Sequence, residues 1–347
     1  MSDHEVFCHL MPGAADMVPR GMVHDVTWFG VDRPDRTLAN PAVPMPGWET
    51  VMLDDALVIP TPFAILDAAG ALRHGVMPSH IAEPIAVHPG TGVLAPLAAG
   101  ADEPLGRFLG ETLSIASLQC RAGGVPGLIG APLTLAQIDA LAAMNLLDRY
   151  TPIATPTRIA RLCLTRPVGS GVSRMIRPAI ESLRFMVEPY EVSARIAILA
   201  PADEARFTRA NQASVLAWLR ARGFAVLDVA AMRLGVNQLG LTDLVASLAA
   251  SRVIVIDDPA QAPLLGFCDP GTMVLELGID GWRDTTIAAC ARMFGLEWRL
   301  ILSPAPRYPV RTALPLGERH MLQTEVDIAA LARGVLRAET ALASLIS

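Results

Sequence analysis

Two adjacent carboxylates, Asp257 and Asp258, end a β-branched run in "VIVIDDPAQAPLLGFCDPGTMVLEL" (253–277), and Glu276 closes the apolar run that follows. Carboxylates at such a place can serve as a general base or as a pair of metal ligands. In α/β sheets, loops leaving the C-terminal ends of strands are where ligands are usually handled. Adjacent residues on a strand point to opposite faces, so one of the two aspartates is expected to be structural. For each, a solvated or helix-capping carboxylate is the plain alternative.

A second chemical signal is cationic. Residues 151–180 hold Arg158, Arg161, Arg166, Arg174 and Arg177 without one acidic side chain, around a "GSG". A strand, a glycine loop and a helix would suit an anion, since helix N-termini and guanidinium groups both favour phosphate. A basic linker facing an acidic surface accounts for the same residues. All 28 basic residues are arginine, which excludes a Schiff-base or P-loop lysine mechanism.

The bulk composition narrows the class. A chain of 347 residues is long enough for two domains, and its 52% hydrophobic content argues against disorder. The net charge of −6 makes nucleic acid an unsuitable main partner. The five cysteines are scattered and never in CxxC spacing, so they read as reduced, buried thiols and not as a zinc site. No uninterrupted apolar run reaches the roughly 18–20 residues that span a bilayer. The start, "MSDHEVFCHLMPG", lacks the basic and apolar regions of a signal peptide. These features lead to the expectation of a cytoplasmic protein, with apolar surface that could lie against the inner membrane or a partner.

The elements that must position these residues are clearest in the C-terminal half. "ARIAILAP", "FAVLDV", "RVIVID", "TMVLEL" and "EWRLIL" read as strands. Between them, 204–223 reads as a helix stopped by Gly223 and 241–251 as one capped by Thr242. The stretch 284–295 reads as a helix capped by Asp284 and stopped by Gly295. Alternation of this kind predicts a doubly wound parallel sheet, with 253–257 and 273–277 as buried neighbours. Ile328, Leu331, Val335 and Leu342 recur at helical spacing near the end. In the first half, 48–75 suggests antiparallel strands at a sheet edge, 102–120 and 133–146 suggest helices, and "PGLIG" and "RIARLCL" strands.

The stretch "RFTRAN…LRARGFAVLD…LTDLVASLAASRVIVIDDPAQAPLLGFCDPGTMVLEL…ARMFGLEWRLIL" resembles the C-terminal half of glycosyltransferase family 61, the bacterial capsular polysaccharide biosynthesis type. "VPGLIGAPLTLAQIDALAAMNLLDRYTPIATPTRIARLCL" is similar to its N-terminal half. Two departures stand out. Asp258-Pro259 replaces the His-Gly of the family's "G-x-H-G-A" loop. In "LGRFLGETL", Arg107 stands at the motif histidine and Glu111 at its carboxylate. No histidine occurs between His88 and His320, so the loop holds either a reworked site or a retired one.

The resemblance implies an α/β, GT-B-like protein of two Rossmann-like domains. Residues 1–175 would be the acceptor side and 176–347 the nucleotide-sugar side, with the final helix packing back on the first domain. It implies inverting transfer from a nucleotide-sugar donor to a glycan or glycolipid acceptor, without an obligatory metal. Arg206 and Arg209, read on a helix, would grip the diphosphate bidentately. Asn211, Thr272 and Glu276 complete the donor side, Glu276 through the ribose. Asp258, Asp257 or Glu111 would be the base. Solvated arginines and capping carboxylates remain the other reading, and with them a silent member serving as a binding or scaffold subunit of polysaccharide assembly.

Overall fold

The computed structural model describes residues 6–7, 28–29, 47–97, 103–121, 124–168, 176–188, 194–199, 208–209, 211–227, 240–279, 285–303 and 323–346. The chain divides into two compact units, the first centred on residues 44–186 and the second on 187–230 and 242–347. Residues 18–43 belong to the second unit. The division therefore falls after Met186 and is not a single cut at 175/176.

The first unit is built on a long antiparallel pair. Its elements are β1 (Val6–Phe7), β3 (Gly47–Pro60), β4 (Phe63–Leu66), β5 (Leu72–Gly75), β6 (Ala86–Val87), β7 (Val93–Pro96), β8 (Gly127–Gly130), β9 (Tyr150–Pro152) and β10 (Thr157–Val168); β2 (Trp28–Phe29) is taken up by the second unit. Strand β10 runs antiparallel to β3 from Thr157 opposite Val58 to Val168 opposite Gly47. Leu53 and Val58 of β3 and Ile159, Leu162 and Leu164 of β10 are buried in one core with Ile65 and Ile129. The path β5-β4-β3-β10-β7-β8-β9 is antiparallel through β10 and parallel beyond it. The antiparallel edge is the one expected from 48–75. The sheet is thus mixed, and the expected Rossmann-like form does not describe it: two hairpin turns join β3, β4 and β5 where crossover helices would be needed.

Its helices follow from their sequence. Helix α1 (Leu105–Arg107) passes through a π-helical turn (Phe108–Thr112) into α2 (Leu113–Arg121), burying Leu105, Phe108, Leu109 and Leu113. Thr134 and Gln137 close a reciprocal capping box at α3 (Leu135–Ala143). Helix α4 (Arg177–Phe185) is tied to α2 through Ser114, whose hydroxyl donates to the Ile176 carbonyl and accepts from Ala179 N–H, both at 3.3 Å. That tie is why α4 stays with the first unit.

The second unit carries a parallel sheet. Its strands are β11 (Ala194–Ile198), β13 (Ala225–Leu227), β14 (Ser251–Ile256), β15 (Met273–Ile279) and β16 (Glu297–Ser303), in the order β13-β11-β14-β15-β16-β2. Every pairing is parallel. Val253 faces Met273 and Ile256 faces Glu276, all buried, as the sequence predicts. Residues 241–251 and 284–295 contain α6 (Leu241–Ala249) and α7 (Thr286–Met293). Thr242 lies inside α6 and not at its cap, and Thr285 precedes α7; Asp284 falls outside the described residues.

The helix expected from residue 204 begins later, as α5 (Gln212–Ala221). Thr208–Arg209 is instead a short strand, β12, parallel to β17 (Gln323–Thr324). Gly223 (φ +77°) and Gly295 (φ +72°) stop α5 and α7 in the left-handed conformation that glycine adopts without steric cost. The last helix, α8 (Ile328–Ile346), spends its described apolar stripe within the second unit. Ala330, Leu331, Val335 and Ala338 share one core with Val253, Val255, Leu275, Val215 and Leu219. The stripe read from the sequence is thus engaged in the second unit's own core.

Gly130 offers a check on the first sheet. A Cβ there would stand 2.6 Å from the Leu97 carbonyl oxygen, a backbone atom that cannot swing aside. Gly130→Ala should cost about 1–3 kcal/mol. Urea unfolding should show a lower midpoint at unchanged slope.

Candidate functional site

Taking β11 as first along the chain, the sheet reads second-first-third-fourth-fifth, so its order reverses between β11 and β14. In open α/β sheets, ligands bind outside the strand C-termini at such a switch point. Ile198 lies opposite Ile256 at the ends of these two strands. Asp257 and Asp258 therefore leave the sheet beside the switch point.

Asp258 caps a 3-10 helix, Pro259–Phe267: its Oδ1 accepts from Ala260 N–H at 2.9 Å and its carbonyl from Gln261 N–H at 3.0 Å. Pro259 fits the first position because it has no N–H to satisfy. The rest of the segment, Ala262 through Leu265 and Phe267, is buried. The loop that the sequence marked is thus an apolar plug opened by a capping carboxylate. Asp257 is half-buried at the strand end.

The other donor-side residues are drawn into internal bonds. Glu276 is buried on β15, and its Oε2 accepts from the Trp298 indole N–H at 2.7 Å across β16. Thr272 is fully buried and donates to the Ser251 carbonyl at 2.9 Å. It precedes β15, at the sheet edge opposite to Asp257 and Asp258, so the structure does not bring it to the switch point. Asn211 holds both backbone groups of Val326, donating from Nδ2 to its carbonyl at 2.8 Å and accepting its N–H at Oδ1 at 3.0 Å. Arg209 lies on β12 and not on a helix, with its side chain outside the described residues; Arg206 lies outside them altogether.

The arginine run resolves largely into ion pairs. Arg158 meets Asp55 at 3.0 Å and Arg161 approaches Asp54 at 4.0 Å, both acids on the antiparallel neighbour β3. Arg177 pairs with Glu181 one turn along α4 at 2.8 Å. The Arg166 side chain, Arg174 and the "GSG" fall outside the described residues.

In the first unit, Glu111 sits in the π-helical turn with Arg107 one turn earlier, Nε to Oε2 4.0 Å. Burial pushes the Glu111 carboxyl above its ordinary range, and the guanidinium opposes that shift. The cluster contains a residue that the sequence did not single out, Glu103. Thr112 donates to its Oε1 at 2.9 Å, while its Oε2 is buried with no hydrogen-bond partner among the described residues. Burial pushes Glu103 up to about 8; the Thr112 hydroxyl and Arg107 act against this, and Glu111 adds to it. Its position just before Pro104, at a helix start, was the available signal. Its link to Thr112 depends on the π turn, which sequence periodicity does not reveal.

Among the described residues, no group of three or more His, Cys, Asp or Glu side chains is arranged for a metal ion. Cys120, Cys163, Cys268 and Cys290 are buried. No protein-family model matches the chain, and no curated protein matches it.

The Asn211 clasp is directly testable. Asn211→Ala removes both partners of the Val326 backbone and should lower stability by about 1–3 kcal/mol. Chemical denaturation without any ligand reads this loss; unchanged stability would return the amide to a binding role.

Proposed function

We propose that the chain is a glycosyltransferase-like protein. In this reading it holds a nucleotide-sugar donor at the C-terminal edge of the second unit and transfers the sugar, with inversion, to a glycan or glycolipid acceptor. The observation that carries the reading is the switch point between β11 and β14, with Asp257 and Asp258 beside it. The GT-B organisation belongs to the same proposal, with the first unit as the acceptor side. Arg206 and Arg209 would bind the diphosphate, and Asp257 would border the donor.

The base assigned here is Glu111. Asp258 already accepts a backbone N–H as a cap, whereas Glu111 is a carboxyl that burial makes more basic than usual. A carboxylate takes the acceptor hydroxyl proton, the oxygen attacks the anomeric carbon, and the C–O bond to the nucleoside diphosphate breaks with its electron pair. Arginines take up the charge that develops on the leaving group. Among the described residues no helix is long and apolar enough to cross a membrane. In the same proposal, an acceptor on a lipid would be met at a membrane surface.

A second reading, a binding or scaffold subunit of polysaccharide assembly, is favoured by the capping role of Asp258 and the internal bonds of Asn211 and Thr272.

A thermal-shift panel of nucleotide sugars separates the two, since a donor at 100 times its Kd should stabilise the protein by about 2.7 kcal/mol. The transferase reading expects a shift with one donor class, and silence across the panel favours the scaffold. Glu111→Gln should cut turnover by at least about tenfold while the donor shift persists. Asp258→Asn should retain turnover, because asparagine caps as well as aspartate. The reverse pattern would move the base to Asp258.

A further inference from the structure

Glu103 stands out in the first unit because half of its carboxyl is accounted for and half is not. Oε1 receives the Thr112 hydroxyl at 2.9 Å, while Oε2 is buried and meets no donor among the described residues. The nearby cation does not fill that vacancy: Arg107 directs its Nε towards Glu111, at 4.0 Å. An ionised carboxylate so placed would keep its charge out of water with one neutral hydrogen bond and a second carboxylate close by. A protonated carboxyl has no such cost and keeps the same bond from Thr112.

We propose that Glu103 holds a proton at neutral pH, leaving the Arg107 guanidinium to Glu111, which it approaches at 4.0 Å. Glu103 is then a positioning residue. While it is neutral, Arg107 is left to Glu111; when it ionises, the two carboxylates compete for one guanidinium. This assignment of role rests on the reading of Glu111 as the base, whereas the protonation itself does not. The burial of Glu103, which places its titration at about 8, agrees with the hydrogen-bond inventory.

The charges acting on Glu103 are those of Arg107 and Glu111. Helices α3 and α4 pack on the π turn and carry Asp139, and Arg177, Glu181 and Arg184, respectively. Arg177 and Glu181 are spent on each other. Asp102, the preceding residue, lies outside the described residues.

The sign of the pH effect follows from linkage. Folding raises this carboxyl from its ordinary 4.5 to about 8, so between those values the folded chain keeps a proton that the unfolded chain has released. Its contribution to stability is complete below 4.5 and is lost as pH rises through about 8. Glu103→Gln, a neutral isostere, should match the parent's melting temperature at pH 4.5 and exceed it increasingly from pH 6 to 9. Parallel melting curves across that range would overturn the proposal.

Infrared spectroscopy of the full chain gives a second, independent measurement. The parent should keep a protonated-carboxyl band at pH 7 that disappears above pH 9, and its absence at pH 7 would equally overturn the proposal. Thr112→Val should move that band's midpoint upward, because the hydroxyl favours the ionised form; an unmoved midpoint would overturn the assignment of the proton to Glu103. In a turnover assay with an active donor, the parent's pH profile should show a step near 8 that Glu103→Gln lacks. Silence of the nucleotide-sugar panel would remove the transferase reading and leave the infrared and melting results to decide the proton.

Discussion

The parallel ladder that Ser251–Ile256 makes on both sides, with Ala194–Ile198 and with Met273–Ile279, is the constraint on which the second unit depends. A strand paired on both edges and buried on both faces favours an apolar run, and Val253 through Ile256 form one. Polar residues can then appear only where the ladder ends. Asp257 and Asp258 stand at that point, and the parallel direction decides which sheet edge they reach. The same direction sends Thr272 to the other edge. Two residues only a short stretch of chain apart are thereby kept from a common site.

Several polar side chains near the ladder are consumed by the architecture. Leaving a strand for a tight helical turn exposes backbone N–H groups, and the Asp258 carboxylate takes one of them. Thr272 satisfies a strand-end carbonyl, and Asn211 answers both groups of Val326 where neither strand nor helix can. Glu276 is tolerated in a buried strand because an indole N–H reaches it from the next strand. At the C-terminal sheet edge, Asp258 is thus already engaged as a cap.

Much of this was legible in the chain. β-branched runs marked β11, β14 and β15, and Gly223 and Gly295 marked helix ends, because these signals are local. The meander of 48–75 was legible for the same reason. What could not be read depends on distant partners. Residues 204–211 carry a helix-like mixture of apolar and basic residues, yet β17 draws Thr208 and Arg209 into a strand pairing. Arg158 and Arg161 find their acidic partners, Asp55 and Asp54, on β3, a distant strand that the local sequence of the arginine run does not name. The apolar stripe of α8 was visible, but its choice of the second unit's core was not. Glu103 was missed because no periodicity announces a hydrogen bond closed around a π turn.

The short strand Trp28–Phe29 pairs with Leu300 and Ile301, although the chain between it and Val187 is mostly given to the first unit. The second unit is therefore discontinuous, with its outermost strand supplied by a segment that is synthesised long before the rest of its sheet. During synthesis that segment meets its partner only when β16 has emerged, whereas the first unit's β3 has β4 beside it at once and waits only for β10. No single cut in the chain yields two self-sufficient halves. A separable second unit would have to be made as a permuted chain, with the early segment joined behind the last helix, so that the order of translation follows the order of the sheet.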